Sequence, residues 1–351
     1  MKIEILKKLI KLYSNAKKIK NYFEGERDIL LCQVDSLLQQ KEKLLQEREY
    51  LEGERNLLLC QVDSLLQQKE KLVQERENIF YKPGHFYSPI PDFEEVFQNK
   101  ERIFKTNSKN IPGINLNEDN QLIFLEKLSN YFKDFPFPEE KTLQYHYYTK
   151  NSAFSFTDAL ILFSMLCYLQ PRKVIEVGSG FSSAVIYDTN LNFLDNSIET
   201  IFIEPFPDTL AELFIEEFQE LTLYKQKLQN LSPDFFQTLT QNDILFIDSS
   251  HVCKIGSDVN HLFAKIMPIL EPGVVIHIHD IHFPFEYPEA WVSEGRAWNE
   301  SYLLRSFLQF NSEFEILFWP SFILQFHKNR WEKLVSREFD GTGSIWLIKK
   351  S

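Results

Sequence analysis

The chain has 351 residues, 44 % of them hydrophobic, enough for one large domain with appendages. A formal net charge of −12 speaks against wholesale nucleic-acid binding. The four cysteines, Cys32, Cys60, Cys167 and Cys253, form no C-x-x-C pair, which argues against a zinc site or a disulfide framework.

No apolar run is long enough to span a membrane, and Lys is scattered through the N-terminus where a signal peptide would be apolar. A reducing, cytoplasmic setting is the expectation, with peripheral membrane contact open. Residues 1–23 read as a basic amphipathic helix. Ile3, Leu6, Leu9, Ile10 and Tyr13 share one face, and residues 1–20 carry seven Lys against one Glu. Such a helix suits an anionic membrane surface or, equally, the solvated start of a longer helix.

Residues 24–79 are a tandem repeat: 24–51 and 52–79 differ at five positions. Each copy is 28 residues, or four heptads, so coiled-coil register is kept. Leu30, Leu37, Leu44, Leu51, Leu58, Leu65, Leu72 and Ile79 recur at one heptad position. The facing position is mostly Arg or Lys, which weakens a dimeric seam, and Gly25 and Gly53 weaken the helix. The expectation is a long spacer helix with modest self-association or a partner.

Residues 80–150 read as a linker and helical pre-domain. Pro83-Gly84, Pro89 and Pro91 break the long helix. Helices follow near 92–104 and 118–133. Pro136 and Pro138 break again before the aromatic cluster Tyr145-His-Tyr-Tyr148. The main domain is expected over 151–351. Its first helix covers Ala159–Leu169. Strands are predicted at 173–177, 200–203, 221–225, 243–247, 273–278, 314–318 and 344–348. Helices between them are predicted after Ser182 and near 208–219, 232–239, 257–269, 298–310 and 321–334. This alternation implies an α/β fold with a doubly wound, mostly parallel seven-stranded sheet. Ligands in such sheets bind beyond the carboxyl ends of the strands.

The first strand runs into Glu176-Val-Gly178-Ser179-Gly180. Glycines there let backbone approach a ligand closely, and the helix behind offers free N–H groups. A dinucleotide site asks for a third Gly, where this chain has Ser183. The E-V-G-S-G stretch, with its acid inside the strand, resembles motif I of class I S-adenosylmethionine-dependent methyltransferases. The resemblance extends over residues 81–348 through PGHFYSPIPD, SFTDALILFSMLCYLQPRKVIEVGSGFSSAV, FIEPFP, DILFIDSSHVCKIGSDVNHLF and VVIHIHDIHFPFEYP. These stretches look like the broad bacterial methyltransferase family, of small-molecule or glycan type, whose uncharacterised members often accompany glycosyltransferase and polysaccharide genes. By that resemblance Glu176, Gly178, Ser179 and Gly180 contact the methionine part of the cofactor. Glu204 holds the ribose hydroxyls, and Asp248 lies by the sulfonium.

A second constellation gathers Asp248-Ser-Ser-His251, Asp258, His277, His279-Asp280 and His282. Asp248 and Asp280 end adjacent strands and project to one sheet edge. One reading is a divalent cation such as Mg on Asp248 and Asp280, which the resemblance to magnesium-dependent O-methyltransferases implies. The other is metal-free, with His251 or His279 as general base and Asp248 beside them. His277 reads as a buried strand residue. The segments 83–91 and 281–296, both aromatic and proline-containing, are candidate lids. Arg296 and Arg305 are candidates to hold an anionic part of the acceptor. The leading expectation is O-methylation of a small-molecule or glycan hydroxyl. A nicotinamide-dependent oxidoreductase and a non-catalytic coiled-coil scaffold are the alternatives.

Overall fold

A computed structural model describes residues 2–77, 80–105, 108–335 and 341–350. Ile79, the last position of the heptad series, lies outside them. The chain divides after Lys82 into two compact units. The first is one helix, α1 (Lys2–Glu77), unbroken by Gly25 or Gly53. Side chains from Lys2 to Lys71 are exposed, including the leucine stripe from Leu30 to Leu65. Exposed pairs such as Lys20–Glu24 and Arg48–Glu52 lie at i, i+4 spacing, each worth a few tenths of a kcal/mol. No described helix is long and apolar enough to cross a membrane.

The second unit opens with α2 (Phe93–Gln98), α3 (Lys100–Phe104) and α4 (Glu118–Phe132). Next, α5 (Phe156–Leu169) leads into β1 (Lys173–Val177), α6 (Phe181–Phe193), β2 (Glu199–Ile203) and α7 (Asp208–Leu213). Then come β3 (Leu223–Tyr224), β4 (Ile244–Ile247), α8 (Asp258–His261) and β5 (Val275–His279). The unit ends with α9 (Glu289–Ser293), α10 (Glu300–Leu308), β6 (Phe314–Phe318), α11 (Pro320–Leu334) and β7 (Ser344–Lys349).

The strands form one sheet in the order β3-β2-β1-β4-β5-β7-β6. Strands β1 to β5 run parallel, and β7 lies antiparallel between β5 and β6. Every residue of β1, β4 and β5 is buried, which is why these strands read as unbroken apolar runs rather than alternating ones. The connections leave β1 to one side and resume at β4 on the other, so a crevice opens beyond their carboxyl ends.

Several predicted helices are shorter than the apolar pattern implied. The helix expected over 257–269 is α8, then a π turn at Leu262–Ile266 and a 3-10 turn. Pro268 has no N–H to continue the ladder, and the widened turn absorbs the mismatch. The helix expected over 208–219 stops at Leu213, and the next residue, Phe214, buries its ring against His146 at 4.5 Å. The helix expected over 92–104 is split at Asn99, and that over 232–239 is a 3-10 turn, Pro233–Thr238.

The irregular stretch 133–155 is held by one buried carboxylate. Asp188 on α6 accepts from the backbone N–H of His146 (2.8 Å) and of Tyr147 (2.9 Å), and lies 2.7 Å from His146 Nδ1. The Tyr147 hydroxyl donates to the Phe154 carbonyl, and the Tyr148 ring packs edge-on against Phe181 at the start of α6. The aromatic cluster thus fastens the pre-domain to the helix behind the glycine turn. Asp188→Ala strands these N–H donors and is expected to cost about 2–3 kcal/mol, read by denaturant unfolding.

Candidate active site

Glu176 is fully buried in β1, and its carboxylate is taken up by the first turn of α6. Ser182 Oγ donates to one oxygen (2.5 Å) and Ser183 Oγ to the other (2.6 Å). Ser183 Oγ also accepts from the Gly180 N–H at 3.0 Å. Strand, turn and helix are stapled by one acid and two hydroxyls. Burial pushes the Glu176 carboxyl up to about 8, although the serine hydroxyls pull the other way. Its oxygens face the staple and not a cavity.

Gly178 has φ +78°, and a Cβ there would lie 1.8 Å from the Asp248 carbonyl oxygen. Only glycine fits where β1 and β4 approach so closely. Gly180, by contrast, is extended at φ −172°, with only Thr209 near a built Cβ, at 3.9 Å. The Ser179 N–H donates to Glu204 Oε2 at 3.2 Å, and the Phe206 N–H donates to Oε1 at 2.7 Å. These two donors fix the Glu204 carboxylate at the end of β2. The buried Ser179 Oγ has no hydrogen-bond partner among the described residues.

A cavity of about 530 Å³ lies over these turns. Gly178, Glu204 and Asp248 line it, with Phe206, Leu228 and Ile255 supplying apolar surface. Phe206 and Ile255 are large apolar side chains left exposed at its walls. A carboxylate with lone pairs to spare and apolar walls match a nucleoside carrying vicinal hydroxyls.

At the far side of the cavity stands a charged cluster. His251 (φ +58°) is buried. Its Nδ1 lies 2.9 Å from Glu300 Oε2, and its Nε2 lies 3.3 Å from Asp248 Oδ1 and 3.4 Å from Asp280 Oδ2. Burial alone would lower its pKa, but Asp248 and Glu300 outweigh it and push it up to about 10. The two carboxylates therefore favour the protonated form of the imidazole. Burial opposes the charge on Asp248, yet His279 and His251 hold its carboxyl below the usual value. Asp280 is pushed up by burial.

Asp248, His251 and Asp280 each offer a ligand atom within 4.8 Å of the others, a donor set that could hold a cation. Glu300 on His251 Nδ1 is the outer carboxylate that orients metal-bound imidazoles. His279, expected as a base, is the buried last residue of β5. Its Nδ1 lies 3.3 Å from His277 Nε2, its ring packs on Phe154, and its Nε2 reaches Asp280 Oδ1 only at 3.7 Å. Asp258 holds the loop after β4 by accepting from Ser250 N and Oγ. His282 is turned away against Trp291, and burial pushes its pKa down to about 4. Glu300 escaped the sequence reading because an acid at a helix start normally signals a dipole partner.

The model of a family described as "Methyltransferase domain" matches residues 175–281. An uncharacterized protein of Archaeoglobus fulgidus is 38 % identical over 167 residues, covering 47 % of this chain and 76 % of that protein. Among solved structures, the chain resembles the methyltransferase PaMTH1 of Podospora anserina, bound to SAH. That match has 15 % identity and a TM-score of 0.37, and covers 74 % of this chain and 95 % of the other. It also resembles the O-methyltransferase TomG of Streptomyces achromogenes, in complex with SAM. There the identity is 12 % and the TM-score 0.36, with 74 % and 96 % of the chains covered. The sheet order, the glycine turn and the family match define a class I S-adenosylmethionine-dependent methyltransferase. The chain belongs to the same family as the Archaeoglobus protein.

The Glu176 staple has a pH signature. A carboxyl raised from 4.5 to about 8 binds more protons folded than unfolded across that window, so its contribution to stability falls as pH rises through it. Glu176→Gln is expected to flatten this decline, read as melting temperatures of both chains between pH 5 and pH 8. A constant gap between the two curves would contradict the raised value.

Proposed function

We propose that the protein transfers the methyl group of S-adenosylmethionine to a hydroxyl of a small molecule or glycan. The observation that carries this is the Glu204 carboxylate, fixed by two backbone N–H groups at one end of a cavity whose other end is Asp248. When bound, the cofactor supplies an electrophilic methyl. Glu204 would accept from the two ribose hydroxyls, Ser179 and Gly178 would present backbone to the methionine part, and Phe206 and Ile255 would cover the base. Gly180 keeps the helix start open, and Glu176 acts beneath them by setting the turn.

Asp248 faces the cavity and accepts a hydrogen bond from the acceptor hydroxyl. As the oxygen takes the methyl, its proton passes into the Asp248–His251–Asp280 cluster. Asp280, raised by burial, is the better proton holder there. Held as a cation by Asp248 and Glu300, His251 keeps Asp248 ionised and aimed. His279 supports Asp280 from behind. Positioning and exclusion of water supply most of the rate.

Calorimetry with S-adenosylhomocysteine tests the reading. Micromolar binding is expected, and Glu204→Ala should weaken it about tenfold or more, the scale of a lost charged hydrogen-bond partner. Absence of binding to the unaltered chain would sink the proposal.

A second reading rests on the spacing of Asp248, His251 and Asp280, which suits a divalent cation such as Mg. There it would lower the pKa of a coordinated hydroxyl. A titration with Mn²⁺ alone is expected to show binding that Asp280→Asn weakens about tenfold. No heat in either chain favours the metal-free cluster. The basic face of residues 1–20 suits peripheral contact with an anionic membrane, and the leucine stripe suits self-association.

A further inference from the structure

The exposed face of α1 is one seam that runs from the basic N-terminus into the repeat. The leucines of the repeat hold position d of each heptad, the facing residues hold a, and e and g flank them. Leu9, Ala16 and Phe23 fall on the same d position as the series from Leu30 to Leu65, and Leu6 and Tyr13 fall on a with Val34 and Val62. All these side chains are exposed. Gly25, Gly53, Cys32 and Cys60 lie at f, on the side away from the seam, and a Cβ built at either glycine meets nothing within 4 Å. Lys7, Lys11 and Lys18 also lie on that far side.

Two asymmetries decide what can cover the seam. The first lies between a and d. Lys20, Arg27, Lys41, Arg48 and Arg55 all stand at a, whereas each d residue from Leu9 to Leu65 is apolar. Two parallel copies in register set a against a, so like cations meet in all five of these layers. The g residue just before offers an acid to three of them, Glu26, Glu47 and Glu54, while Ile19 and Gln40 precede the other two. In an antiparallel pair each a residue meets a d residue of the second copy. Every one of these cations then lies along an apolar side chain and can extend its charged end to the rim.

The second asymmetry lies between the flanks. In the repeat, e carries Leu31, Leu38, Leu45, Leu59 and Leu66, broken by Glu52, while g from Glu26 to Gln68 is only Glu or Gln. Parallel helices set e against g, which leaves these leucines facing polar side chains. Antiparallel helices set e against e and g against g, so leucine meets leucine. The net charge of the segment 1–20, with seven Lys against one Glu, acts in the same direction. A parallel pair places the two basic segments side by side, and an antiparallel pair places them at opposite ends.

We infer that α1 is covered by α1 of a second copy of this chain, antiparallel and overlapped along its whole length. The inference rests on the self-association that the leucine stripe suits and gives it a direction.

Sedimentation and pulsed electron paramagnetic resonance on the full chain test this. Cys60 is spin-labelled in a chain carrying Cys32→Ser and Cys253→Ser. A second chain adds Cys60→Ser and takes the label at Lys18→Cys. The buried Cys167 is left in place. A dimer is expected. Full overlap sets residue 18 beside residue 60 of the second copy, so the two labels in each dimer are expected about 60 Å apart. Leu44→Lys combined with Leu58→Lys, which brings cations onto d, is expected to weaken the dimer about tenfold or more. Distances of about 25 Å or less in both labelled chains, the width of two helices, would overturn the antiparallel direction. A dimer unchanged by the leucine substitutions would overturn α1 as the interface. A monomer would overturn the pairing itself, and a monomer that sediments with phosphatidylserine vesicles would give the seam to an anionic membrane instead.

Discussion

One carboxylate in a dry place organises this domain. Glu176 sits in the central strand with no access to water, and two serine hydroxyls from the next helix supply its hydrogen bonds. An unpaired acid there would be untenable. The helix must therefore begin where its first turn can reach the strand. That fixes the path of Gly178, Ser179 and Gly180, and so the direction of the Ser179 N–H that steadies Glu204. The contact between Gly178 and the Asp248 carbonyl locks β1 against β4 at the same level. Cofactor turn and charged cluster are thus held in one rigid frame.

The cluster itself is an arrangement of like charges around a single cation. Asp248, Asp280 and Glu300 all approach His251. Without a positive centre their mutual repulsion, sharpened by burial, would push them apart or neutralise them. The raised pKa of His251 fits that role. Glu300 on Nδ1 leaves Nε2 directed at the two aspartates.

Much of this was legible in the chain. The seven strands and their alternation with helices follow from apolar runs and breakers, and Glu204, Asp248 and Asp280 were visible because each directly follows a strand. Ser183 was legible only as a departure from a dinucleotide pattern; its part in holding Glu176 depends on three-dimensional reach. The inward turn of Glu176 was hidden because both faces of β1 are buried, so alternation carries no sign. Glu300 lies 49 residues beyond its partner His251, and only folding brings the two together. The π turn near Pro268 and the early end of α7 reflect tertiary packing that overrode an apolar period.

The reversed strand β7 sets a timetable for assembly. It lies between β5 and β6, and the Ile281 N–H donates to the Gly343 carbonyl just ahead of it. A Cβ at Gly343 would come within 3.3 Å of Asp280 Cα, so the segment entering β7 presses directly on the acid-bearing turn. During synthesis, α1 leaves the ribosome long before that segment exists. The aspartate cluster therefore gains this support only after the segment entering β7 has been made.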